Sequence, residues 1–279
     1  MKTSTNYFGK NNNIKKGVDI MFKLILSKVR PWLVMVGIIV LYLLLNVIAI
    51  VGFEAVMGES ATSDSNVLLS TLIITQILTL LIVLFLYRRK DLKDFLRIKK
   101  VSLKTLIWSF VGGFGTLAAA GMVVELINFL NPALVTEYNE TFGGLLGQAN
   151  PILILISVVL LASIGEEVFM RGILFKEFEK AKYPTWSIVL FSGLIFGAFH
   201  LNLVQGAFAT ILGVAIALGF LYSGSLYVPI LMHLGNNLTA TLIGFLPLTI
   251  QESPILDFFL YSLIVLLPIS LYMIYKDNK

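Results

Sequence analysis

The chain has 279 residues, of which 57% are hydrophobic and 13% charged, with a formal net charge of +5. Soluble domains carry about a quarter charged residues, so this composition excludes an ordinary water-soluble globule and predicts an all-α, polytopic integral membrane helical bundle. The lack of cysteine excludes disulfides, thiolate metal ligands and a cysteine nucleophile.

The first 30 residues are polar and basic, and they precede a membrane domain over 31–279. The next apolar run is too long for a signal-peptide core and is expected to stay as an uncleaved anchor. Runs long enough to cross a bilayer predict about eight transmembrane helices, at 32–53, 67–87, 103–130, 151–175, 186–202, 203–222, 226–246 and 255–275. Asn46, Gln76 and Glu125 stand in the first three as isolated polar residues. Gly112-Gly113-Phe114-Gly115 in the third follows no strand, so it predicts close approach of a neighbouring helix rather than a phosphate cradle. The fifth and sixth runs share the stretch from Trp186 to Ser223, about 57 Å of helix and barely two crossings of a ~30 Å hydrocarbon core. The turn Leu201-Asn202-Leu203 is therefore expected below the membrane surface, where backbone must be covered by protein or line a wet cavity.

Basic residues fall into four groups. Lys2, Lys10, Lys15, Lys16, Lys23, Lys28 and Arg30 precede the first run. Arg88, Arg89, Lys90, Lys93, Arg97, Lys99, Lys100 and Lys104 lie between the second and third. Arg171, Lys176, Lys180 and Lys182 follow Glu167, and Lys276 and Lys279 end the chain. With eight crossings all four groups share one side, expected to be the cytoplasm, and both termini lie there. The opposite loops carry Glu54, Glu59, Asp64, Glu137, Glu140, Glu252 and Asp257. The net charge thus reads as a topology signal and an attraction to anionic lipid at the cytoplasmic face, with no nucleic-acid partner.

The candidate chemistry gathers in the second half. Glu166 and Glu167 are an acidic doublet inside an apolar run, and the only two histidines, His200 and His233, lie in later runs. Counted from the cytoplasmic helix ends, Glu166 is about 15 Å deep, His200 about 21 Å, and His233 and Asn237 about 12 and 18 Å, so the four levels overlap. Ionisable groups at such depth are expensive and mark function. Glu167 and Arg171, at i,i+4, are expected to pair. Adjacent helical residues diverge by about 100°, so Glu166 is expected to face elsewhere. His233 and Asn237 share a helix face and present two donors to one developing negative oxygen, while Asn236 turns away. Phe196 shares a face with His200 and is expected to pack its ring.

Glu166-Glu167-x-x-x-Arg171, Phe196-x-x-x-His200 and His233-x-x-x-Asn237, in that order on successive spans, resemble the CAAX protease and bacteriocin-processing family, also called the Abi family of intramembrane proteases. The resembling region is about 150–246. The resemblance implies hydrolysis of a peptide bond in a membrane-associated or lipidated protein or peptide. It also implies the roles: Glu166 and His200 activate the water, and His233 and Asn237 stabilise the oxyanion. Glu167, Arg171 and Phe196 support them. Eukaryotic relatives trim prenylated C-termini, whereas bacterial relatives are linked to peptide maturation and bacteriocin immunity. The compact chain fits a bacterial plasma-membrane enzyme. Catalysis without a cofactor is the favoured expectation; the alternative is Zn2+ on Glu166, His200 and His233. Two rival functions remain open at this level: a proton-coupled transporter, since buried Glu and His also build proton relays, and a non-proteolytic immunity or regulatory scaffold.

Overall fold

The computed structural model describes residues 5–58, 63–88, 91–251 and 253–279, without the side chains of 5–18, 145 and 146. Lys2, Glu59, Arg89, Lys90 and Glu252 of the charge pattern lie outside the described residues, as do the side chains of Lys10, Lys15 and Lys16. Nine principal helices follow: α1 Thr5–Met57, α2 Ser65–Leu86, α3 Leu103–Leu130, α4 Pro132–Gly147, α5 Pro151–Lys180, α6 Thr185–Phe199, α7 Leu203–Ser223, α8 Tyr227–Gly244 and α9 Pro254–Asp277. Single turns occur at Leu92–Phe95 and Leu248–Gln251. Helices dominate because an apolar segment in lipid must satisfy its own backbone hydrogen bonds.

Six of the nine are long and apolar enough to cross a membrane: α1 from Asp19 onward, α2, α3, α5, α7 and α9. The chain is a multi-pass integral membrane protein. The expected count of eight is not reproduced by length and hydropathy alone. Helix α6 has only 15 residues, and the 18-residue α8 carries His233, Asn236 and Asn237, which lower its mean hydropathy. Helix α1 runs unbroken from residue 5 through residue 30, with Pro31 inside it. The expected outer loop after α3 folds as α4, whose Tyr138 packs edge-on against Phe208 of α7 at 6.1 Å.

Described members of all four basic groups meet at one end of the bundle, while Arg171 lies in its interior. Arg30 and Lys180 flank Glu177 at 2.8 and 2.7 Å. Arg97 holds both carboxylate oxygens of Glu179 at 2.6 and 2.8 Å, and Lys28 donates to the Lys182 carbonyl at 3.1 Å. Asp277, at the end of α9, accepts from Ser102 and Thr105 at the start of α3. Burial, and then the neighbouring Glu177 carboxylate, push the Tyr87 hydroxyl up to about 12, so it stays neutral at this end.

Close helix packing is set by glycine. A Cβ on Gly113 would stand 2.5 Å from the Met232 carbonyl oxygen and 2.6 Å from the Asn236 nitrogen, so only glycine lets α3 lie this close to α8, as the glycine-rich stretch predicts. The hairpin of α6 and α7 uses the same device, since a Cβ on Gly213 would lie 2.9 Å from the Gly193 Cα. The turn between them is left-handed at Leu201 (φ 54°), an arrangement costing roughly 1–2 kcal/mol for a residue with a side chain. Asn202 then caps α7, accepting from the Gln205 amide at 2.9 Å.

Candidate active site

Helix α5 changes winding around the acidic doublet. Leu155–Leu161 and Val168–Leu174 are π-helical, and Ala162–Glu167 between them is α-helical. Each π bond closes over five residues instead of four, so side chains rotate less per step than in an α-helix, and such segments recur at functional sites.

Glu167 is fully buried and paired with the equally buried Arg171, whose Nη1 lies 2.9 Å from Oε1 and 2.8 Å from Oε2. Arg171 also donates from Nη2 to the Gly213 carbonyl at 2.5 Å, and its guanidinium stacks over the Phe196 ring at 5.3 Å. The expected Glu167–Arg171 pair is present, but Glu167 has a further partner: its Oε1 lies 3.0 Å from His233 Nδ1. On the other edge of the same imidazole, Nε2 stands 4.0 Å from Glu166 Oε2. The expectation that the two carboxylates cannot address one partner is therefore corrected. An imidazole offers nitrogens on two edges, and here each edge meets one of the consecutive glutamates.

Of the two carboxylates only Glu167 is paired with the guanidinium, and Glu166 stands 4.0 Å from His233 Nε2. Glu167, which accepts the Nδ1–H, fixes the ring's orientation and leaves Nε2 toward Glu166.

His200 closes α6. Its Nδ1 is 2.8 Å from the Phe196 carbonyl, which commits that nitrogen as the donor and leaves Nε2 as the basic site. Phe196 is fully buried and stands edge-on to both histidines, with ring centroids 5.0 Å from His200 and 5.5 Å from His233. Among the described residues no hydrogen bond or ion pair joins His200 to Glu166, and the expectation that both act on one water requires none. Glu166 stands with His233.

Asn237 donates Nδ2 to the Val158 carbonyl in the first π segment at 2.9 Å. Its Oδ1 accepts from Asn236 at 3.1 Å, and Asn236 in turn accepts from Thr116 at 3.3 Å. Asn236 does not turn away as expected. It holds the Asn237 amide in one orientation, leaving the second Nδ2 hydrogen for another acceptor.

The alternative zinc set is Glu166, His200 and His233. Among the described residues no three His, Cys, Asp or Glu side chains are grouped as a metal site, although the Nδ1 contacts of His233 with Glu167 and of His200 with the Phe196 carbonyl leave both Nε2 atoms free.

Sequence reasoning missed two contributors from the first helices. Tyr42 of α1 and Gln76 of α2 line a cavity of about 20 Å³ together with Leu161, Gly165, Glu166 and Phe199. Gln76 thus stands beside Glu166. Asn46 is not isolated either, since it accepts from Thr75 at 3.3 Å, and Glu125 interacts with Tyr261. A polar residue in an apolar run was the available signal, but the sequence does not say which helices pack together.

Residues 148–239 match the family model described as type II CAAX prenyl endopeptidase Rce1-like. The match takes in every motif residue from Glu166 to Asn237 and agrees with the family that the ordered motifs resemble. At family level it supports a membrane endopeptidase. No curated protein and no solved structure matches the chain.

Proposed function

We propose that this chain is an intramembrane endopeptidase that hydrolyses a peptide bond in a membrane-associated or lipidated protein through a water activated by Glu166. The observation that carries the reading is the imidazole of His233 set between Glu167 at 3.0 Å and Glu166 at 4.0 Å, with Arg171 neutralising only one of the two carboxylates.

In this mechanism Glu166 takes a proton from water as the oxygen attacks the scissile carbonyl, and it returns that proton to the leaving amine. The free Nδ2 hydrogen of Asn237, and Nε2 of His233 once protonated, donate to the tetrahedral oxyanion. His200, with Nε2 as its basic nitrogen, takes the second hydrogen of that water only as the intermediate collapses, so that the product leaves as a carboxylate, and then releases the proton to solvent. Glu167 and Arg171 hold His233 in register, and no step passes through a metal.

The basic end of the bundle faces the cytoplasm and anionic lipid in this reading. Because the chain has no cysteine, single introduced cysteines at 276 and 137 report sidedness with an impermeant thiol reagent. Labelling at 276 from outside intact cells would reverse the assignment.

The central test uses the purified protein and a prenylated reporter peptide ending in a CAAX sequence, in parallel with the membrane peptidome of cells carrying wild type or Glu166→Ala. Wild type is expected to generate fragments that disappear in Glu166→Ala and in His200→Ala at matched expression. Identical peptidomes and no reporter cleavage by wild type would remove the endopeptidase reading.

A further inference from the structure

Among the buried polar atoms without a hydrogen-bond partner in the described residues are two acceptors, Glu166 Oε2 and Gln76 Oε1. Both belong to residues lining the same cavity, which has a volume of about 20 Å³. A water needs about 10–15 Å³ and two or more polar partners, so this cavity has room for a single water. The chemistry of the pair is selective. Two acceptors demand a ligand with two hydrogens to give, and a buried carbonyl or carboxylate oxygen left unmatched is costly. The remaining walls are largely apolar, from Leu161, Ala162, Gly165, Phe169 and Phe199, with Tyr42 supplying the one hydroxyl.

We propose that Gln76 is a positioning residue that fixes a water against Glu166, so that α2, outside the segment matching the family, completes the reactive site. The water donates one hydrogen to Glu166 Oε2 and the other to Gln76 Oε1. Its lone pairs then point away from both acceptors. Removal of the first proton by Glu166 leaves the oxygen still tethered through the second, which limits the directions from which it attacks. Gln76 itself touches neither substrate nor the bond that breaks. Position 76 is held by its helix: Thr75 bonds to Asn46 of α1, and Thr75 and Thr79 are fully buried on either side.

The water site stands independently of the proposed activity, and only its kinetic consequence rests on that reading. The test is an experimental structure of the full chain at a resolution that shows ordered water, for wild type and Gln76→Leu. Wild type is expected to show a water within hydrogen-bond distance of both Glu166 and Gln76, and Gln76→Leu is expected to lose it with the helices unmoved. Wild-type density without that water, or a water that persists in Gln76→Leu, overturns the proposal. If Gln76→Leu does not fold, the wild-type density decides alone. With the prenylated reporter, kcat of Gln76→Leu is expected to fall by up to about a hundredfold, the scale of a misplaced reacting group, with KM unchanged. An unaltered kcat overturns the positioning role. A wild-type protein that holds the water and cleaves nothing removes the endopeptidase reading and leaves the water site standing.

Discussion

Two regions of the bundle bury a glutamate completely, and they solve the problem differently. At the basic end, Glu177 meets Arg30 and Lys180, whose side chains are 62% and 37% exposed. One carboxylate there has two cations, and water reaches both of them. In the interior, Glu167 meets Arg171 and His233, which are 0% and 3% exposed, and Glu166 waits on the far edge of the imidazole. Two carboxylates there have one permanent cation. Burial of an acid is therefore common to both regions and diagnostic of neither. The interior cluster differs because one of its two carboxylates, Glu166, has no permanent cation paired with it and stands 4.0 Å from the Nε2 of a buried imidazole.

The sharpest way to break this comparison is Glu166→Gln, which keeps the side chain's shape and removes the base. Cleavage of the reporter is expected to fall by about 10²–10⁴-fold while the unfolding midpoint in detergent stays at the wild-type value. Residual activity near wild type would reassign the base. Asn237→Ala comes next, with an expected loss of about 10²–10³-fold in kcat for one oxyanion donor. A change in KM alone would make Asn237 a binding residue.

Stability separates the two regions more directly. Arg171→Met leaves Glu167 buried without its cation and is expected to cost about 3–5 kcal/mol in unfolding measurements. Glu177→Gln releases two cations that already reach solvent and is expected to cost about 1 kcal/mol or less, with cleavage retained. Equal costs at both positions would show that the two clusters are the same kind of structural pair. The smallest expected effect is that of chelation: exhaustive treatment should leave reporter cleavage unchanged, and loss restored by zinc would return Glu166, His200 and His233 to the role of ligands.

Much of the frame was legible in the residues. Apart from the extension of α1 before residue 32 and the unforeseen α4, apolar runs located the helices to within about five positions, because a bilayer leaves the backbone few options, and the glycines at 112, 113 and 115 announced tight crossings that α8 supplies at Gly113 and α9 at Gly115. The motif residues on α5, α6 and α8 were also legible by type and order. The partners within the cluster were less so. Reading Glu166 and Glu167 as unable to share a partner overlooked that an imidazole presents a nitrogen on each of two edges, and nothing in the composition of Leu155–Leu161 or Val168–Leu174 signals the π-helices on either side of the doublet. Asn236 looked averted for the same reason that any neighbour does, yet a side-chain amide is long enough to reach sideways to Asn237. Gln76 carried a visible anomaly, a polar side chain in lipid, but its meaning depends on which helix stands opposite, and that is a property of tertiary packing.

Helix α6 has 15 residues, about 22 Å of helix at 1.5 Å per residue, and His200 stands at its end. A bilayer of ordinary thickness exceeds that length by several ångströms, and the mismatch must be met by local thinning or by water drawn in around the helix end. The acyl chains surrounding the protein are then part of the setting of its site. Reconstitution in lipids of decreasing chain length is expected to raise the cleavage rate as the membrane approaches the length that α6 already has.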